Sequence, residues 1–281
     1  MKTAIVTDST AYIPKELREK LDIRMVPLSV VIGNDTYKEE IDISTTEFYD
    51  KVRNERTLPK TSQPALGDFV STFEELSKNY DAIISIHLSS GISGTLTGAQ
   101  QAGRIVDNIN VYTFDSELSC MAQGFYVLRA AEMAKDGAHP DAILKELNTM
   151  KQTMHAYFMV DNLDHLHRGG RLNGIERVIG TMLQVKPVLH FENKIIVPFE
   201  KVRTRKKAMK RIADLLQEDA NKHAKLQATI IHANQEQEAI AWKNELEANL
   251  PNVKFTISYF GPVIGTHLGE GSMGLAWVKT N

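Results

Sequence analysis

Along the first half of the chain, short aliphatic and β-branched runs alternate with stretches whose apolar positions recur every three or four residues. TAIVT (3–7), IRMVPLSVVI (23–32), DAIISIHL (81–88) and NINVYTF (108–114) read as strands. IPKELREKL, TTEFYDKVRNE and ALGDFVSTFEELSKNY read as helices; the last puts Leu66, Phe69, Val70, Phe73 and Leu76 on one face. A helix is expected after Ser93, and a longer one over CMAQGFYVLRAAEMAKDG. Strands alternating with helices imply a mostly parallel sheet covered on both faces.

The pattern changes after about residue 153. PVLHFENKIIVPFEKV reads as an antiparallel hairpin with a tight turn at Glu192-Asn193. A charged helix, TRKKAMKRIADLLQEDANKH, follows, then a strand ATIIHA, a helix around Trp242, and strands FTISYF and GLAWVK. The expected fold is α/β in two domains: a mostly parallel one over 1–153, and one with antiparallel strands over 154–281.

The polar clusters fall where open α/β sheets bind ligands, beyond the carboxyl ends of strands. TDST (7–10), SSGISGT (89–95) and DSE (115–117) each follow a strand, and TSQP (61–64) precedes a helix. Ser93 lies at or near a helix N-cap, where a hydroxyl satisfies a free N–H and where anions also collect. Its surroundings, Gly-Ile-Ser-Gly, lack the G-x-S-x-G elbow of a serine hydrolase. His87, the nearest histidine, sits inside a strand and reads as a buried, hydrogen-bonded residue. There is no P-loop, and no G-x-G-x-x-G follows the first strand. His165 and His167 read as solvated helix residues, and Asp8 and Asp115 are either caps or metal ligands.

Composition narrows the classes. A net charge of −2 gives no drive toward nucleic acid, so the basic run EKVRTRKKAMKR (200–211) reads as a solvated face or a dock for an acidic protein. One cysteine, Cys120, cannot form an internal disulfide, which points to the cytoplasm. No apolar run approaches a membrane span, and MKTAIVTDST is not a signal peptide.

Taken in order, TDST, TSQP, SSGISGT, DS (115–116), LDHLHRGGRL (163–172), GTMLQVKPVL (180–189) and GPVIGTHLGEG (261–271) resemble the DegV family over nearly the whole chain. EKVRTRKKA resembles the fatty-acid-binding subunits of bacterial fatty acid kinase within it. The resemblance implies a tunnel between domains holding one long-chain fatty acid, with no other cofactor and no metal. Carried over, the carboxylate contacts are Thr61, Ser62, Ser93 and His267. A separate ATP-dependent kinase would phosphorylate that carboxylate, for incorporation into phospholipid; Arg171, Arg203, Arg205 and Lys206 are the candidate docking residues. Transient contact with a membrane surface fits the same reading. Phe125, Leu128, Ile179, Met182 and Leu183 are candidate tunnel lining. Two departures stand out: Ala65 where relatives often carry serine, and His165 and His167 where lysines are common. The alternatives are an esterase using Ser93 and a lipid sensor without a kinase partner.

Overall fold

The computed structural model describes residues 1–53, 55, 57–172, 186–223 and 225–280. The expected tunnel residues Ile179, Met182 and Leu183 lie outside these.

The chain is α/β. Strands β1 (Thr3–Asp8), β2 (Ile23–Val26), β6 (Ala82–His87) and β7 (Asn110–Asp115) form an all-parallel sheet in the order β2-β1-β6-β7. Every residue of β1 and β6 is buried, as expected of central strands covered on both faces. On one face, α3 (Leu66–Ser77) and α4 (Thr95–Ile105) contribute Phe69, Phe73, Ala99 and Ala102, packed on Val6 and Ile83. On the other lie α5 (Cys120–Lys135) and α6 (Pro140–Lys151). Helices α1 (Lys15–Lys20) and α2 (Thr45–Val52) complete this half, the latter opened by a capping box between Ser44 and Glu47.

IRMVPLSVVI is not one strand. It divides at Pro27, which has no N–H for a ladder. β2 stays in the parallel sheet, while β3 (Ser29–Ile32) starts a small antiparallel sheet with β4 (Asp35–Lys38) and β5 (Lys60–Ser62), in the order β4-β3-β5. Thr61 and Ser62 are therefore strand residues, fixed by pairing with Val30 and Ser29.

The second sheet has six strands in the order β10-β9-β8-β13-β11-β12. They are β8 (His155–Met159), β9 (Val188–Glu192), β10 (Ile195–Glu200), β11 (Leu226–His232), β12 (Val253–Tyr259) and β13 (Met273–Lys279). All pairs are antiparallel except β11 with β12. Helices α8 (Arg205–Ala220) and α9 (Glu236–Asn249) cover one face over Leu275, Trp277 and Ile230. The other face, carrying Phe158, Ile231, Ala276 and Val278, joins the core that contains α5. The short helices α7 (Asp164–Arg168) and α10 (Pro262–Leu268) lie between.

The β9–β10 turn sits one residue later than expected. Asn193 and Lys194 form it, with φ of 48° and 73°, as a two-residue turn with both central residues left-handed requires. No described helix is long and apolar enough to cross a membrane.

Candidate functional site

The SSGISGT loop follows β6, and each of its small residues has a distinct task. Ser89 Oγ donates to the Lys194 carbonyl at the β9–β10 turn (2.6 Å). Gly91 permits that approach, because a Cβ there would overlap the same carbonyl oxygen. Ser90 donates through its N–H and its hydroxyl to Asp115, and the Lys194 ammonium stands 3.0 Å from the same carboxylate. Burial pushes the Asp115 carboxyl up, but the Ser90 and Lys194 hydrogen bonds outweigh it and hold the group below its ordinary pKa. Asp115 thus ties the two sheets together.

Asp8 is also structural. Fully buried, it accepts from the Thr10 N–H and hydroxyl, from the Leu88 N–H and from Gln123, and lies 3.0 Å from His87 Nδ1. His87 is the buried, bonded residue expected, with Nε2 2.6 Å from Ser85 Oγ. No group of three metal-ligating side chains occurs among the described residues.

Ser93 precedes the cap of α4, which is Gly94. Its hydroxyl lies 2.9 Å from Thr95 Oγ1 and accepts from the Thr95 N–H, an arrangement that organises the turn rather than activating a nucleophile. Gly94 carries only hydrogen toward Gln63, whose amide oxygen occupies the space a Cβ would need.

These loops edge a cavity of about 320 Å³ lined from both halves of the chain. Thr61, Ser62, Ser93 and His267 all line it, with Gln63 and Arg171. Ser62, Gln63 and Gly94 are exposed, so this polar end meets the surface. The rest of the wall is mainly apolar, including Leu88, Phe158, Phe191, Ile231, Ile264 and Leu268. Gln63 belongs to the TSQP cluster expected here, whereas Ser119 and Cys120 were not singled out for this wall. Cys120 adopts φ 58° at the start of α5, and burial pushes its thiol far above the ordinary value, so it stays protonated.

The polar end is built on α10. Thr61 Oγ1 lies 2.8 Å from His267 Nε2. Burial first, then the neighbouring Arg171 and His165, lowers the His267 pKa to about 4, so the ring is neutral at physiological pH. Its Nδ1 is buried without a partner among the described residues. With the proton on Nε2, His267 donates to Thr61 and leaves the Thr61 hydroxyl hydrogen to point elsewhere. His165 departs from the solvated residue expected: it is half-buried against Gly269, and only His167 of the pair is exposed.

Helix α10 is held at its start by Glu39. This fully buried carboxylate accepts from the Val263 N–H (2.7 Å), the Tyr12 hydroxyl (2.9 Å) and the Ser9 hydroxyl (2.6 Å). Burial outweighs those donors and raises its pKa to about 7. The Tyr49 hydroxyl donates to the Phe260 carbonyl, and Arg53 pairs with Glu270 just past the far end. Nothing in the sequence had marked Glu39.

The expected docking residues separate. Arg171 lines the cavity, donating to the Ile92 and Gly169 carbonyls. Arg203 and Lys206 are exposed. Arg205 is engaged internally: it makes paired bonds to Glu238 (2.9 and 2.6 Å) and reaches Asp161 and the Gly271 carbonyl. Its place at the first turn of α8 turns it inward across β8 and α9. Phe125 and Leu128 do not line this cavity. They face a second one of about 420 Å³, and Ser119, Cys120 and Ala122 are what α5 presents to the first.

Residues 2–280 match the family model described as uncharacterised protein, DegV family. The chain belongs to the DegV family. Among its DegV relatives, protein DegV of Bacillus subtilis is 59% identical over 278 residues, 99% of each chain. The crystal structure of Bacillus subtilis DegV, a fatty acid binding protein, superimposes with a TM-score of 0.95 at 58% identity over the whole of both chains. A DegV family protein from Thermus thermophilus, described for its fatty acid binding, matches over the whole of both chains with a TM-score of 0.93 and 31% identity.

Proposed function

We propose that this DegV chain binds one long-chain fatty acid without covalent bonds and presents its carboxylate to a separate ATP-dependent kinase, which forms the acyl phosphate. In this reading the domains are 1–153 and 154–281, the tail lies in the cavity between them, and the protein works in the cytoplasm as a carrier. The observation that carries it is the first cavity: an apolar wall that ends, where it meets the surface, in Thr61, Ser62, Ser93 and His267. Fatty acid binding by the similar Bacillus and Thermus proteins supports it.

The chemistry is consistent. Burial of some fifteen methylenes is worth roughly 12 kcal/mol gross at ~0.8 kcal/mol each, and the cost of association leaves tight binding. A carboxylate taken from water needs several donors. The hydroxyls of Thr61, Ser62 and Ser93 supply them, and a neutral His267 orients the first. Arg171, held by two carbonyls, adds positive potential without becoming a competing counter-ion at the surface. Because the polar end is near solvent, a carboxylate oxygen there can attack the γ-phosphorus of ATP on a docked kinase, breaking the bond to the β–γ bridging oxygen so that ADP leaves and the acyl phosphate remains. Arg203 and Lys206, both exposed, are the docking contacts, with transient membrane contact during loading.

Mass spectrometry tests the carrier role. Under native conditions the protein should carry an added fatty acid, and denaturation should remove it; an acyl adduct on Ser93 would support the esterase instead. Adding the kinase and ATP separates carrier from sensor, since only a carrier yields acyl phosphate.

A further inference from the structure

The two cavities share no lining residue, yet the same three elements, α5, β11 and β13, contribute to both. On α5, Ala122 lines the first cavity, while Phe125 and Leu128 line the second. Successive residues of this set are three apart and so neighbours on the helix surface, and Ala122 and Leu128 are separated by about 9 Å along the axis. The sheet beneath repeats the order. On β13, Gly274 and Ala276 line the first cavity and Val278 the second. On β11, Ile231 lines the first and Gln227 the second, paired with Gly274 and Val278 respectively. Residues two apart on a strand share a face, so helix and sheet both run from one cavity into the other. Phe125, 3% exposed, is the next residue after Ala122 along α5 that lines a cavity, and it lines the second one only.

We infer that Phe125 is the chain-length stop of the fatty acid site, and that the second cavity is an overflow chamber closed by its ring. This rests on the reading of the first cavity as the fatty acid site. A 320 Å³ cavity is at the small end of ligand pockets, so a longer acyl chain must end against a wall or pass it. The chamber behind Phe125 suits a methyl end only in part. Leu128, Met150 and Val278 give it an apolar floor, while Arg129, Glu132 and Lys279 rim it. Closing it keeps that polar rim off the tail, so the site favours chains that stop short of Phe125. Smaller residues at position 125 would open the floor and move the preference to longer chains.

The test uses the full-length protein, stripped of lipid, with saturated acids of fourteen to twenty-two carbons in competition. F125A and F125L should shift the preferred length upward by at least two carbons, with the twenty-two-carbon acid gaining roughly tenfold or more. A122L should shift it downward. F125L guards against loss of fold in F125A. Length profiles of both Phe125 variants that superimpose on the unmodified protein would overturn the inference. If no acid binds any of the proteins, the fatty acid reading itself fails. The partition is then judged by a crystal structure of F125L: one continuous cavity supports it and two separate ones refute it.

Discussion

Thr61 Oγ1 and His267 Nε2 meet at 2.8 Å, joining a three-residue edge strand to a helix 206 residues later at the polar end of the cavity. The contact orients a hydroxyl, so replacing it tests orientation with little change of volume. T61V should weaken fatty acid binding about tenfold, the equivalent of one hydrogen bond to a charged group. H267A should weaken it further, since it also opens a void beside Gly169. Calorimetric titration with a single acid measures both.

Two buried groups around α10 pull the pH dependence of stability in opposite directions. Glu39 rises from its ordinary 4.5 to about 7. The folded state therefore holds its proton more tightly, and stability falls as pH rises from about 4.5 to 7. His267 drops from 6.5 to about 4, so the folded state resists its proton and stability falls as pH drops from about 6.5 to 4. Each effect is on the order of 3 kcal/mol, and they largely cancel between about pH 4.5 and 6.5. E39Q should expose the His267 slope, making the protein less stable toward acid. H267N should expose the Glu39 slope, with the opposite sign. Urea unfolding across that range reads both, and parallel profiles in the two variants would contradict the assignment.

The residues that sequence patterning placed well are those whose role is local. β1 and β6 read as strands because a central parallel strand is apolar at every position, and α3 because Phe69, Phe73 and Leu76 repeat at helical spacing. β5 did not read as a strand: it has three polar or charged residues, and only its pairing with β3 makes it one. Glu39 was invisible for the same reason. In KEEID it looks like any solvated charge, and its burial depends on Val263, 224 residues away. Thr61, Ser62, Ser93 and His267 were reached through family resemblance, and the structure brings all four to one cavity. Phe125 and Leu128, expected to line the fatty acid tunnel, face the second cavity instead, because helical spacing gives a face and no position along the sheet.

The contact between Ser89, Gly91 and the Lys194 carbonyl makes the β9–β10 turn dependent on a loop more than a hundred residues earlier. G91A forces the carbonyl away, and overpacking of this kind typically costs about 1–3 kcal/mol. S89A leaves the carbonyl without its hydroxyl donor, at about 1 kcal/mol. The two share one acceptor, so the double variant should lose less stability than the sum of the singles. Thermal unfolding of the three proteins checks this. Because Phe191 and Ile196 of the same hairpin wall the cavity, G91A should also speed fatty acid release, read by stopped-flow transfer to an acceptor protein.

Arg203 and Arg205 are two residues apart in a basic run, yet their surroundings assign them different work. Arg203 is exposed, whereas Arg205 is pinned by Glu238, Asp161 and the Gly271 carbonyl. R205E would set a carboxylate against two others in a partly buried site and should destabilise the fold by about 2 kcal/mol or more. R203E should leave the melting temperature within a degree or so, because an exposed charge contributes little to stability. If the 201–211 face docks the kinase, R203E and K206E should lower acyl phosphate formation while the lipid content of the carrier stays the same. Any loss of turnover in R205E must be corrected for its fraction unfolded. Turnover unchanged in the R203E/K206E double variant at low salt, where charge steering is strongest, would remove this face from the docking surface.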